Sequence, residues 1–206
     1  MEAEIRFDRY NPVLSPKAWK ETPNAGASLL LDLGSHIIDQ SLYLFGMPQA
    51  VFADLRRLRE GTQIDDNVDI LLYYPDKRIR LHAGLFNREL LPAYVLQGRK
   101  GSFFKMRGDV QEDVLKTGAK PNLNDWGTEP QELNGLLHTE KDGVVERRTI
   151  PTLQGNYNDL FEGVYRSIVN GEPEIVSAQD GVNIMRVIAA VKKSSAEKRV
   201  VEISEV

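Results

Sequence analysis

With 206 residues, 41% of them apolar and 27% charged, the chain has ordinary globular composition and enough length to bury a sizeable core. A net charge of −4, a pI near 5.5 and the lack of a clustered Lys/Arg run argue against a phosphate-tracking surface, so no nucleic-acid partner is expected. The absence of cysteine removes disulfides, thiolate nucleophiles and thiolate-bound metals, and no apolar run approaches the roughly 20 residues of a membrane span. A soluble, cytoplasmic protein without a membrane partner is expected.

Met1 leads directly into Glu2-Ala3-Glu4-Ile5-Arg6-Phe7, a period-2 strand pattern without a preceding turn, the abrupt start expected at a domain boundary. A loop from Asn11 to Asn24 carries three prolines, Trp19 and Lys20. Leu29, Leu30, Leu33, Ile37, Leu44 and Phe45 recur at three- and four-residue steps and predict a helix from Ala27 to Phe45, stopped by Gly46 and Pro48. Strand-like runs at Ala50 to Leu58, Val68 to Tyr74 and Ile79 to Phe86 predict an antiparallel meander, with Pro75-Asp76-Lys77-Arg78 as one turn. Tyr94 to Gln97 and Ser102 to Lys105 bracket the turn Gly98-Arg99-Lys100-Gly101, and a last hairpin joins Leu136 to Glu140 with Val144 to Thr149 through Lys141-Asp142-Gly143. Between the hairpins lie a short helical stretch, Val110 to Lys116, and a polar loop through Pro121, Trp126 and Pro130.

Two further helices follow, Asn156 to Val169 closed by Asn170-Gly171, and Ala178 to Ser195 with Val182, Met185, Val187, Ile188 and Val191 as its apolar residues. Arg199 to Ile203 predicts a final strand. Runs of strands followed by runs of helices point to a single α+β domain over residues 1–206, with a largely antiparallel sheet that carries helices on one face. Its other face is left for solvent, a partner subunit or another domain.

On a helix, Asp32, His36, Asp39 and Tyr43 fall at steps of four, three and four and project from one side. A carboxylate four residues from an imidazole can hold its orientation and raise its basicity, which acid/base chemistry near neutral pH requires. The spacing alone equally fits residues that cap, pair or face solvent. It also fits a mixed Asp32, His36, Asp39 ligand set for zinc or manganese, although no further histidine is placed to help. His82 falls in a strand and His138 in a hairpin, positions that read as structural or surface.

The block Trp19-Lys20-Glu21-Thr22-Pro23, continued by Gly26-Ala27-Ser28-Leu29-Leu30-Leu31-Asp32-Leu33-Gly34-Ser35-His36-Ile37-Ile38-Asp39-Gln40, resembles the signature G-x-x-L-x-D-x-G-x-H-x-x-D of the glucose-fructose oxidoreductase, inositol dehydrogenase and MocA family. Phe7-Asp8-Arg9-Tyr10 resembles that family's first C-terminal strand, Gly118 to Gly127 its Pro- and Trp-bearing loop, and Val176-Ser177-Ala178-Gln179-Asp180-Gly181 the entry to its last long helix. The likeness covers nearly the whole chain. Ala27 and Ser28 stand where the family motif often has glycine.

The resemblance implies the C-terminal, dihydrodipicolinate-reductase-like α+β domain of that family: an open, mixed but mostly antiparallel sheet with helices on one face, separated from its N-terminal Rossmann domain. It implies pairing through the sheet into a homodimer or homotetramer. It also implies that Asp32 and His36 match the catalytic aspartate and histidine, with His36 exchanging the proton of a sugar or polyol hydroxyl while hydride moves to or from NAD or NADP. Neither the family's E-K-P motif nor a G-x-G-x-x-G between strand and helix occurs, so this chain is expected to bind no coenzyme and to be inactive alone. Trp19, Lys20, Trp126, Tyr94 and Asn87 are candidate substrate contacts, against plainer roles as loop anchor, loop pin and sheet packing. The rival function is a non-catalytic sugar-sensing or assembly module of the same fold.

Overall fold

In the computed structural model, which describes residues 1–206 apart from Asn24, Ala25, Leu123 and the Ala18 side chain, the elements run as follows. β1 (Glu2–Asp8) is followed by a single turn, α1 (Ala18–Glu21), and by a π-helical turn over Leu30–Gly34 that continues directly into α2 (Ser35–Phe45). Then come β2 (Ala50–Arg56), β3 (Asn67–Tyr73), β4 (Arg78–Gly84), β5 (Tyr94–Gly98), β6 (Gly101–Lys105) and α3 (Val110–Lys116). β7 (Gly135–Lys141), β8 (Val144–Ile150), α4 (Tyr157–Asn170), α5 (Ala178–Glu197) and β9 (Val201–Glu202) complete the chain. Asn24 and Leu123, at the end of one predicted loop and inside another, lie outside the described residues.

Period-2 alternation builds the middle of the sheet. Ala3 and Ile5 in β1, Val68, Ile70 and Leu72 in β3, and Ile79, Leu81 and Ala83 in β4 are buried on one face, and the residues between them point the other way. Against this apolar face pack Leu30 and Leu33 of the π-helical turn, Ile37 and Ile38 of α2, and Val187, Ile188, Ala190 and Val191 of α5. Ser194 fastens α5 to the sheet: its Oγ accepts the Ala53 N–H at 2.9 Å and donates to the Arg199 carbonyl at 2.6 Å.

The described residues form one nine-stranded sheet in the order β8-β7-β6-β5-β1-β4-β3-β2-β9. The expected meander β2-β3-β4 and both hairpins are present; the turn of the second holds Asp142 and Gly143 at φ of 53° and 79°. The insertion of β1 between β5 and β4, with β1 parallel to β4 so that Ile5 faces Leu81, is visible only in the structure. Parallel pairing needs a long crossover, and local alternation carries no record of which distant strand closes it.

Three local expectations are corrected. The helix predicted from Ala27 starts with a π-helical turn, whose wider winding shifts the phase of the residues that follow. The last strand is confined to Val201–Glu202, with a 3₁₀ turn over Ile203–Glu205. In α5 only the C-terminal half reaches the sheet, so Val182 and Met185 stay exposed, and none of the described residues of α4 is buried.

The helix-free face of the central strands is ionic. Arg6 pairs with Glu4 and Asp8, Arg80 pairs with Asp69 at 2.6 Å, and the His82 ring lies between Asp8 and Asp69, 3.5 and 3.4 Å from their carboxylates. Burial opposes ionisation of Asp69, but the His82 ring beside it and the two hydrogen bonds from Arg80 outweigh it and hold this carboxyl well below the usual range.

Candidate active site

Ser28 stands just before the π-helical turn; its Oγ accepts the Leu31 N–H at 3.1 Å and its carbonyl accepts the Asp32 N–H at 3.0 Å. Ser35 Oγ closes it by donating to the Leu31 carbonyl at 2.8 Å. Leu30, Leu33 and Gly34 turn inward, whereas Asp32, His36, Asp39 and Tyr43 are all exposed. Single π-helical turns within helices occur frequently at functional sites. The local sequence carries no signal for this one.

Asp32 lines a cavity of about 330 Å³ together with Trp19, Lys20, Arg9, Ser28 and Asp65. The Lys20 ammonium lies 3.8 Å from the Asp32 carboxylate and 5.3 Å above the Trp19 ring. Beneath them is a buried ion network that sequence reasoning missed. Arg59 grips Glu21 with two bonds of 3.1 and 2.9 Å and reaches Asp66 at 2.9 Å. Asp66, fully buried, also accepts the N–H groups of Leu58 and Arg59 at 2.7 and 3.0 Å. Glu21 is the last residue of α1, so this network fixes the turn that carries Trp19 and Lys20. An Arg and an Asp in one loop and a Glu at the end of a distant helical turn have no periodic signature.

His36 stands one turn beyond Asp32, its ring 6.2 Å from that of Phe7, which also receives the guanidinium groups of Arg9 at 5.0 Å and Arg107 at 4.4 Å. Among the described residues no hydrogen bond joins Asp32 to His36; the carboxylate faces Lys20 instead. Three or more His, Asp or Glu side chains do not gather into a ligand set anywhere among the described residues, Asp32, His36 and Asp39 included.

The structure thus brings Trp19, Lys20 and Asp32 together, while His36, Tyr94, Asn87 and Trp126 are not among the described residues lining that cavity. Tyr94 donates to Gln40 at 3.1 Å and carries Arg107 over its ring, and the Asn87 N–H donates to the Arg9 carbonyl at 3.1 Å. Both therefore brace the neighbourhood of His36 and Arg9. Trp126 is buried and edge-on to Tyr157 at 5.8 Å. His82 is held in the sheet between two carboxylates, and His138 is exposed on β7.

The fold is a mixed, mostly antiparallel nine-stranded sheet with helices packed on one face, and an exposed Asp32 and His36 stand at the start of its first long helix. Residues 2–203 match the oxidoreductase family described as C-terminal alpha/beta domain, GFO_IDH_MocA_C, and the chain belongs to that family. It is 36% identical over 198 residues to scyllo-inositol 2-dehydrogenase (NADP(+)) IolW of Bacillus subtilis, covering 96% of this chain and 55% of that protein. The structure of the oxidoreductase yvaA from Bacillus subtilis superposes with a TM-score of 0.93 at 35% identity, over 98% of this chain and 57% of that one. An oxidoreductase from Bacteroides fragilis gives 0.85 at 38%, again over 98% and 57%. The chain therefore spans little more than half the length of these relatives. No helix among the described residues is long and apolar enough to cross a membrane.

Proposed function

We propose that the chain is the substrate-binding half of a nicotinamide-dependent dehydrogenase that acts on a sugar, polyol or related alcohol, with His36 as its proton carrier. The observation that carries this reading is the exposed flank of Asp32 and His36, whose carboxylate lines a cavity rimmed by Trp19, Lys20 and Arg9. A cavity of about 330 Å³ is of the size that takes a small ligand.

The residues present fit the reacting end of a nicotinamide coenzyme, because an imidazole and a carboxylate face open space on one flank. They do not include a glycine-rich turn for its pyrophosphate, which we assign to a Rossmann domain elsewhere in the full-length polypeptide. NADP is the first coenzyme to test, given the name of the relative from Bacillus subtilis. When bound, the nicotinamide supplies the acceptor or donor of hydride. His36 takes the proton from the carbinol oxygen during oxidation and returns it during reduction. Asp32, one turn earlier and facing Lys20, accepts a hydrogen bond from a neighbouring substrate hydroxyl. Lys20 donates to hydroxyl oxygens, and the Trp19 ring offers a flat apolar wall to the C–H face of the substrate.

On this reading the isolated chain binds no coenzyme and is inactive, and the ionic face of the sheet pairs with a second copy in a dimer or tetramer. The test is coenzyme reduction by the full-length gene product with scyllo-inositol and a panel of sugars and polyols, in the wild type and in His36→Ala. Turnover lost with His36 is expected. Polyol binding without any turnover would favour a sensing module of the same fold.

A further inference from the structure

Arg9 is a cation in a core register. The side chains of β1 that face the helices are Ala3, Ile5 and Phe7, and alternation makes Arg9, one step beyond the strand's last residue, the next on that side. Its backbone extends the sheet: its N–H donates to the Gly84 carbonyl at 2.9 Å and its carbonyl accepts the Asn87 N–H at 3.1 Å. Its guanidinium lies 5.0 Å over the Phe7 ring and lines the same cavity as Asp32. The core ends at this position and the cavity opens, so a charge stands where the pattern calls for an apolar residue.

The other cations nearby are engaged. Arg59 is held by Glu21 and Asp66, and the Lys20 ammonium faces Asp32. Arg107, the second guanidinium over Phe7, donates to the Arg6 carbonyl at 2.8 Å. Among the described residues the Arg9 guanidinium has neither a carboxylate nor a carbonyl partner, so its N–H donors are left for a ligand in the cavity.

The charges of the wall narrow the ligand. Asp32 and Asp65 present carboxylates to the same space, Asp65 being paired with Arg57 no closer than 3.7 Å, and both oppose a substrate carboxylate or phosphate that Arg9 by itself would attract. A neutral polyol suits both signs, because its hydroxyl protons go to the carboxylates and its hydroxyl oxygens to the N–H groups. The guanidinium is a planar fork that takes two acceptor oxygens side by side. On a neutral polyol such a pair is a vicinal diol.

We propose that Arg9 is a specificity residue: it grips two adjacent oxygens of a neutral vicinal diol and so presents that substrate toward His36, whose ring flanks the same Phe7. The proposal rests on the functional reading above for the polyol class. Its test is calorimetric binding and coenzyme reduction by the full-length gene product with three probes. These are scyllo-inositol, phloroglucitol, a cyclohexanetriol without adjacent hydroxyls, and myo-inositol monophosphate. Scyllo-inositol should bind about tenfold or more tightly than either of the others. Arg9→Met should weaken scyllo-inositol about 30-fold and phloroglucitol less than about threefold, the loss of paired bonds from a charged donor. Arg9→Lys keeps the charge without the fork and should recover no more than about threefold. Both variants should melt with the wild type.

Failure to bind scyllo-inositol overturns the proposal, as does tighter binding of the phosphate. Equal losses of the two neutral probes in Arg9→Met, or full recovery in Arg9→Lys, also overturn it. Arg9-dependent binding in a protein that reduces no coenzyme keeps the proposal and removes the dehydrogenase reading. Turnover of scyllo-inositol that Arg9→Met leaves unchanged does the opposite.

Discussion

The Lys20 ammonium and the Asp32 carboxylate face each other at 3.8 Å across one wall of the cavity, with 41 and 55% of their side chains exposed. A pair so open to water contributes about 0–1 kcal/mol, so substrate hydroxyls can displace it at little cost. Lys20→Ala should therefore raise KM about tenfold while changing kcat much less, the loss of one charge-assisted hydrogen bond in the bound state. Steady-state kinetics of the full-length enzyme check this. A fall in kcat at constant KM would move Lys20 from binding to the chemical step.

His36→Ala should lower kcat by about 100-fold or more, the usual contribution of a positioned acid or base. The pH dependence of kcat should lose one limb in the same variant. Turnover and pH profile within a factor of two of wild type would remove His36 from the mechanism.

Arg59 and Asp66 are buried, and breaking such a pair strands a charge away from water. Arg59→Met should cost about 3–5 kcal/mol, because Asp66 and Glu21 lose their shared partner. Glu21→Gln should cost less, since Asp66 keeps its bonds to Arg59 and to two backbone N–H groups. Urea unfolding ranks the two, and the reverse order would contradict the network as drawn.

Ser194→Ala removes one hydroxyl that serves two backbone groups, the buried Ala53 N–H and the Arg199 carbonyl. The loss should be about 1–3 kcal/mol in equilibrium unfolding. A neutral substitution would mean that β2 and α5 hold together by apolar contact alone.

Asp69 ties stability to pH. Its carboxyl titrates lower in the folded chain than in the unfolded one, so its contribution is fully present above about pH 4 and is lost as the pH falls through the folded value. Asp69→Asn should lower stability at neutral pH and flatten its decline below about pH 4. Denaturant midpoints measured from pH 7 down to about pH 2.5 check both effects.

The alternation of Val68, Ile70 and Leu72, the helical recurrence through Ile37 and Ile38, and the Asp142-Gly143 turn were all legible in the sequence, since each repeats within one element. The motif from Ala27 to Asp39 was legible too, and with it the family. Its geometry was not. Asp32 lies in a π-helical turn and faces Lys20 rather than His36, and no local pattern marks that turn.

Sequence alone determined which residues of the central strands face in, the order of the elements and which family motif the chain carries, because side-chain periodicity is a property of neighbours along the chain. Tertiary structure alone decided that β1 lies between β5 and β4, that Arg59 reaches back 38 residues to hold Glu21, and that α4 keeps its apolar face uncovered. Those outcomes depend on which distant surfaces exclude water from one another. That is a competition among all the elements at once, and no single segment records its result.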